Sequence, residues 1–322
     1  TFNLPFFDNI MKILITGGMG FVGSHLTEEL LKNKHEIIVV TKSQKKRNNL
    51  KKIVKQVILE QIDITNFGKI EKCLKKHKPD VIIHLAGETS HSKSFENPLK
   101  DIDSNAKSTL FLLEKIREMK LECKFILGST FIVVGKPKKL PVNENSSCNP
   151  TTIYGVNRLT SEQYCKIYHE VYGMDTISFR ITNSFGPREQ IIPKKNAVNF
   201  LIYQAFKGEK ITIFNDGEFF RDLIYISDVV SAIKIIIKKG KSGELYWISS
   251  NKKIWFKNLG KILKKITNSK VKFVATPKYT KKVDVGNFIV DNTKLRSLGW
   301  KQKIPLEEGI KNTIKFFKDQ KM

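Results

Sequence analysis

The chain has 322 residues, 40% hydrophobic and 10% aromatic, enough for a sizeable core and more than one typical domain needs. Its 57 basic against 31 acidic residues give a formal charge of +26, yet only seven of the basic residues are arginine and the lysines are spread along the whole chain. That is a solvated lysine surface able to attract anionic substrates rather than a nucleic-acid-binding patch, and no apolar run reaches the roughly 18 residues of a membrane span.

The opening "TFNLPFFDNI" lacks the basic stretch and long apolar region of a secretory signal, and Met11 stands directly before a strand-like run, so residues 1–10 read as an appendage. "KILITGG" (12–18) is a strand running into glycines, "FVGSHLTEELLKN" (21–33) has helical periodicity and "EIIVVT" (36–41) is a second strand. "QVILEQID" (56–63), "DVIIHLAG" (80–87) and "KFILGST" (124–130) are buried-strand patterns, separated by the helical "NFGKIEKCLKKH" (66–77) and a long helix across 98–120. A helix opens at Tyr154 and reaches about Tyr172, and "TISFR" (176–180) is a sixth strand. This alternation predicts an α/β fold, a Rossmann-type doubly wound parallel sheet over 11–180. After Arg180 the rhythm loosens into the loop "GPREQIIPKKN" (186–196), a short strand "ITIF" (211–214) and the amphipathic final helix "LEEGIKNTIKFFK" (306–318). The helix "SDVVSAIKIIIKK" (227–239) has the pattern to rejoin the first sheet, so about 222–240 belongs there and 181–322 forms mainly a smaller, interleaved C-terminal lobe. Cys73, Cys123, Cys148 and Cys165 show no CxxC pair and no metal-ligand spacing; they read as reduced structural thiols of a cytoplasmic protein, with no metal expected.

The chemistry begins at "TGGMGFVG" (16–23), where Gly17, Gly20 and Gly23 follow a strand and open a helix. Gly17 permits a tight turn, Gly20 lets backbone approach a pyrophosphate, and Gly23 allows close helix packing, with the free amides of the helix start attracting the phosphates. In "NPTTIYGVNRLTSEQY" (149–164), Tyr154 and Arg158 stand four apart, on one helix face about a turn from each other. A fixed cation beside a phenol favours its ionised form, so the expectation is a tyrosine that ionises below its free value of about 10.

With "HLAG" (84–87), "NAKSTLFLLE" (105–114), "GSTFIVVG" (128–135), "FRITNSFGP" (179–187), "RDLIYISDV" (221–229), "DNTKLRSLGW" (291–300) and "PLEEGI" (305–310) in the same order, residues 11 to about 318 resemble the extended short-chain dehydrogenase/reductase family, in its branch of nucleotide-sugar epimerases and dehydratases. The resemblance implies an NAD(P) cofactor held by Gly17, Gly20, Phe21, Val22 and Gly23, by Thr41 and Lys42 at the adenosine ribose, and by Asp63 and Ile64. Leu85, Ala86, Gly87 and Asn105 complete that set with Tyr154 and Arg158. It further implies that Tyr154 is the acid/base, that Thr130 hydrogen-bonds the reacting oxygen, and that a sugar carbon is oxidised transiently or reduced. The substrate, a nucleotide-diphosphate sugar, would meet Asn183 and Arg221 at its phosphates, Lys281 where many relatives have a second arginine, Ile213 and Phe214 at the nucleobase, and His91 beside the sugar. A homodimer built from the 98–120 helix and the helix starting at Tyr154 is the implied assembly.

Three departures shape the expectation. Arg158 replaces the family lysine, but a guanidinium can keep both its tasks, hydrogen-bonding the nicotinamide ribose and lowering the tyrosine pKa, without losing a proton. Thr41 replaces the acid that binds ribose hydroxyls, and Lys42, Ser43, Lys45, Lys46 and Arg47 follow, which tilts the choice from NAD toward NADP. Phe131 and Ile132 stand where the 4,6-dehydratases carry an Asp-Glu pair after the threonine, which argues against dehydration. The leading expectation is a nucleotide-sugar epimerase acting at C4 through a transient keto sugar; the alternatives are an NADPH-using 4-ketoreductase and a non-catalytic dinucleotide-binding protein.

Overall fold

A computed structural model of the protein describes residues 10–43, 48–192, 196–275, 284–320 and 322. The first half forms β1 (Lys12–Thr16), α1 (Phe21–Lys32), β2 (Glu36–Thr41), β3 (Ile58–Gln61), α2 (Phe67–His77), β4 (Val81–His84), α3 (His91–Glu96), α4 (Pro98–Ile102), α5 (Ser108–Glu118), β5 (Lys124–Thr130), α6 (Ile153–Tyr172) and β6 (Thr176–Ile181). The strands pair in parallel in the order β3-β2-β1-β4-β5-β6, so after β3 the chain crosses back to add β4 on the other side of β1. Helices cover both faces, which is why the strand sequences are apolar throughout instead of alternating. Ile13, Ile15, Val39, Ile83 and Ile126 pack on one side, and Leu14, Ile38, Val40, Ile82 and Leu127 on the other.

The second half continues with β7 (Asn183–Phe185), α7 (Ala197–Phe206), β8 (Ile211–Phe214), β9 (Phe220–Arg221), β10 (Leu223–Tyr225), α8 (Ile226–Lys239), β11 (Leu245–Ile248), β12 (Ile254–Trp255), α9 (Phe256–Thr267), β13 (Val271–Val274), α10 (Thr293–Ser297) and α11 (Leu306–Asp319). Helix α8 packs against α1, and β11 pairs with β6 as the seventh strand of the main sheet, so the chain returns there by a strand as well as a helix. The pairs β7–β10, β9–β12 and β8–β13 make the smaller lobe. The fully buried Asp222 ties that lobe to the sheet: its carboxylate accepts from Ser250 N and Oγ (both 2.7 Å), Asn251 N (3.1 Å) and Val290 N (3.3 Å). Burial still outweighs these donors and pushes its pKa up to about 6.

The helix expected over 98–120 runs without a gap from Pro98 to Glu118, widened in its middle. Pro98 starts α4, a π turn occupies Asp103–Lys107, and α5 ends at Glu118. Within the widened turn the Asn105 carbonyl accepts from the Ser108 amide and also from three hydroxyls: Thr109 Oγ1 (2.8 Å), Ser161 Oγ (3.2 Å) and Ser108 Oγ (3.3 Å). All four cysteines are free thiols. The structure does bring Cys73 and His77, one helical turn apart on α2, within 4.8 Å of a Glu60 carboxylate oxygen, a ligand-type spacing the sequence reading missed. Glu60 Oε1 is already shared between His77 Nε2 (2.7 Å) and Lys76 Nζ (2.8 Å).

Candidate active site

β1 and β4 are adjacent paired strands at which the winding of the sheet changes sides, and the carboxyl ends of such strands are the usual ligand position in sheets of this kind. Gly17 sits at φ +71°, and a Cβ there would lie 3.0 Å from the Ala86 amide nitrogen. A Cβ at Gly23 would lie 2.3 Å from the Gly17 carbonyl oxygen, so this glycine lets α1 close onto the turn itself. Gly20 is the N-cap of α1 with no side-chain cap, leaving the first amides free for an anion, and Phe21 and Val22 are half-buried on that first turn. A buried network fixes the strand ends: Thr16 Oγ1 pairs with His84 Nδ1 (2.7 Å) and accepts from Ala86 N (3.1 Å), while Ser108 Oγ meets His84 Nε2 at 3.4 Å. Burial, aided by the Arg158 charge, drives the His84 pKa down to about 3, so this imidazole is neutral. Leu85 and Ala86 are half-buried and Gly87 is exposed beyond it.

The adenosine side is less furnished than expected. Thr41 is buried and its hydroxyl donates to the Ser43 carbonyl (3.1 Å), while Lys42 is exposed. Lys45, Lys46 and Arg47 lie outside the described residues. Asp63 is half-buried and spends Oδ1 on Thr65 N and Oγ1, shaping the turn after β3, and Ile64 is buried.

Thr130 ends β5, where its hydroxyl accepts from Ile132 N (3.3 Å), near enough to Tyr154 to favour its phenolate; Tyr154's position on α6 is set by Thr152, which caps the helix by accepting from Gly155 N at 3.0 Å. Tyr154 and Arg158 are 7% and 4% exposed, so both face inward from the same helix side. The expected downward shift of the tyrosine is overturned: burial raises its pKa above the ordinary value, and the Arg158 charge and the nearby Thr130 hydroxyl recover only part of that. Arg158 Nη1 donates to Asn105 Oδ1 (3.4 Å), and its buried Nε has no protein partner. Asn105 is fully buried, with Nδ2 on the Glu88 carbonyl (3.2 Å) and Oδ1 on Arg158, and so supports both the loop after β4 and the arginine.

On the substrate side, His91 lies edge-on to Tyr154 with ring centroids 5.8 Å apart. Asn183, on β7, has a buried Oδ1 without a partner. Alternation along β8 separates the expected nucleobase pair: Phe214 is 42% exposed, whereas Ile213 is 1% exposed and belongs to the core. Arg221 pairs with Asp284 (2.6 Å) rather than with Asp222 or Asp228, and its guanidinium stacks over Phe219 at 5.0 Å. Lys281 lies outside the described residues. Reasoning from sequence missed three partnerships: Asp284 with Arg221, Asn157 with Asp101 (2.7 Å), and the buried Arg180–Glu162 ion pair (2.7 Å). Only long-range folding joins these residues, and no local spacing marks them.

A family model described as GDP-mannose 4,6 dehydratase matches residues 14–313. The chain belongs to the extended short-chain dehydrogenase/reductase family, in its nucleotide-sugar epimerase/dehydratase branch. It is 31% identical to the dTDP-D-glucose 4,6-dehydratase of Dictyostelium discoideum, covering 97% of this chain and 82% of that one. Among solved structures, the UDP-glucose 4-epimerase of Thermotoga maritima with UDP-glucose superposes at a TM-score of 0.89 and 32% identity, covering 97% of this chain and 100% of that chain. The Thermus thermophilus UDP-glucose 4-epimerase with NAD gives a TM-score of 0.86 at 25% identity, covering 96% and 99%. Within this family the chain is a nucleotide-sugar epimerase or dehydratase. Among the described residues no helix is long and apolar enough to cross a membrane.

Proposed function

We propose that this chain is an NAD-dependent nucleotide-sugar 4-epimerase. The observation that carries the reaction type is the pair Phe131 and Ile132 directly after Thr130. Phe131 packs edge-on against Phe288 at 5.1 Å and Ile132 is buried, so the place for a dehydrating acid-base pair is apolar. Tyr154 takes the proton from the sugar hydroxyl and returns it, Thr130 hydrogen-bonds the reacting oxygen, and Arg158 supplies a fixed positive charge. Arg221 exchanges Asp284 for the diphosphate, with Asn183 beside it and Phe214 offered to the nucleobase.

The residues fit a dinucleotide: the glycine turn admits no side chain, and Arg158 Nε and Ser129 Oγ are buried polar atoms awaiting partners. Bound there, the nicotinamide supplies a reversible hydride acceptor. The lean toward NADP finds no support, because Thr41 is turned to its own loop and the related Thermus enzyme holds NAD. Titration by intrinsic fluorescence should show NADH binding at least as tightly as NADPH; a clear NADPH preference would restore the lysine-loop argument. Gly20→Val should weaken cofactor binding at least about 10-fold with the fold retained by circular dichroism, since a branched side chain would stand over the amides that meet the phosphates. Unchanged affinity in that variant would displace the cofactor from the α1 start.

Screening UDP-, dTDP- and GDP-sugars by thermal shift and assaying the binders tests the reaction. An epimerase interconverts sugars with no net change in NAD(P)H absorbance. Net NADPH consumption would make it a ketoreductase, and binding without conversion a non-catalytic protein. We also propose a homodimer through α3–α4 and α6, whose outer faces expose Phe95, Leu99 (77%), Ile102, Val156, Ile167 and Val171 (65%). Sedimentation at micromolar concentration should give twice the chain mass, and a monomer there would refute it.

A further inference from the structure

His91 is built into the pocket more firmly than an ordinary loop residue. Glu88 accepts from Thr89 N (3.0 Å) and Ser90 N (3.1 Å) and pairs with Lys93, so its side chain folds back over the loop. Ser90 caps α3 by accepting from Lys93 N, Ser94 Oγ donates to the His91 carbonyl (2.8 Å), and Asn105 Nδ2 anchors the Glu88 carbonyl from the π turn. The backbone on both sides of His91 is thus fixed, and its ring stands edge-on to Tyr154. Among the described residues neither ring nitrogen of this half-buried histidine has a hydrogen-bond partner. A fixed imidazole with a free donor and a free acceptor beside the acid/base tyrosine is arranged for a ligand.

We propose that His91 is a specificity-determining residue that hydrogen-bonds one of the two sugar hydroxyls flanking the reacting C4, the one on C3 or the one on C6. The inference rests on the sugar-nucleotide reading above and names a contact that reading does not require. Burial holds the His91 pKa below its ordinary value, so the ring is a neutral imidazole with one N–H and one lone pair. A hydroxyl is likewise both donor and acceptor and matches it, whereas a carboxylate, which only accepts, leaves one ring nitrogen unpaired.

The test is a coupling cycle in dissociation constants, measured calorimetrically on the cofactor-loaded protein with the sugar nucleotide that binds, its 3-deoxy and 6-deoxy forms, and the free nucleoside diphosphate. His91→Phe keeps a ring against Tyr154 and removes both nitrogens, and His91→Asn restores a donor and an acceptor. One deoxy form should bind wild type roughly 3- to 10-fold more weakly than the parent sugar, while His91→Phe should bind the two alike. The nucleoside diphosphate should bind both proteins equally, and His91→Asn should recover part of the discrimination. Equal deoxy penalties in wild type and His91→Phe would overturn the proposal. So would a preference for the 6-carboxylate sugar that vanishes in His91→Phe, which would make His91 an acid-recognising group. Because the readout is binding, a protein that binds these sugars but converts none would refute the epimerase reading and leave the His91 result standing.

Discussion

Tyr154→Phe should lower turnover by about 10²- to 10⁴-fold, the usual worth of a positioned acid/base group. The substitution removes one hydroxyl from a side chain that is 7% exposed, so the packing around the ring is preserved and stability should change by only about 1 kcal/mol. Sugar-nucleotide and cofactor binding should persist, because Arg221, Phe214 and the glycine turn are untouched. The pH profile separates a catalytic loss from a folding defect. The phenolate is the base, so wild-type kcat/KM should rise with pH toward the tyrosine's apparent pKa. Burial raises that pKa in the free protein against the pull of Arg158 and Thr130. In Tyr154→Phe the rising limb should disappear. A variant keeping more than a tenth of wild-type turnover, or the same limb, would remove Tyr154 from the chemistry.

The parts of this molecule legible in sequence are those fixed by short-range rules. The apolar runs gave six strands of the main sheet, and the glycine spacing gave the turn between β1 and α1, because hydrophobic periodicity and backbone sterics act over a few residues. Thr41 ends β2 as the apolar run implied and Asp63 follows β3, but what their oxygens bind depends on turn geometry that the residue types do not specify. Asn105 shows the limit most clearly. The residue type does not tell that a π turn directs its side chain inward, onto the Glu88 carbonyl and Arg158. The tyrosine's raised pKa follows the same rule: the adjacent cation was visible at four-residue spacing, and the burial that outweighs it is a property of the whole fold. β11 was missed because "LYWI" follows a helix in a part of the chain where the βαβ rhythm had loosened.

Arg158→Met should reduce turnover by about 10²-fold or more and move the rising limb of the pH profile to higher pH, since the tyrosine loses the cation that favours its phenolate. The geometry explains how a guanidinium is accommodated at this position. Gly87 takes φ +152°, and a Cβ there would lie 2.3 Å from Asn105 Oδ1 and 3.5 Å from Arg158 Nη1, so the missing side chain leaves room for the planar head. Asn105 Oδ1 takes one arm of that head, and the buried Nε has no protein partner. An unpartnered buried N–H costs about 1–3 kcal/mol, a cost that a bound ribose hydroxyl would relieve. Arg158→Met should accordingly weaken NADH binding as well as turnover, while a purely structural arginine would show lost stability at unchanged affinity. Arg158→Lys should retain much of both, because a shorter cation can serve the ribose and the tyrosine. Full activity with an unshifted profile in Arg158→Met would refute the assignment. A wild type that binds cofactor and sugar nucleotide but turns over only as Arg158→Lys would make the arginine the mark of a lost activity.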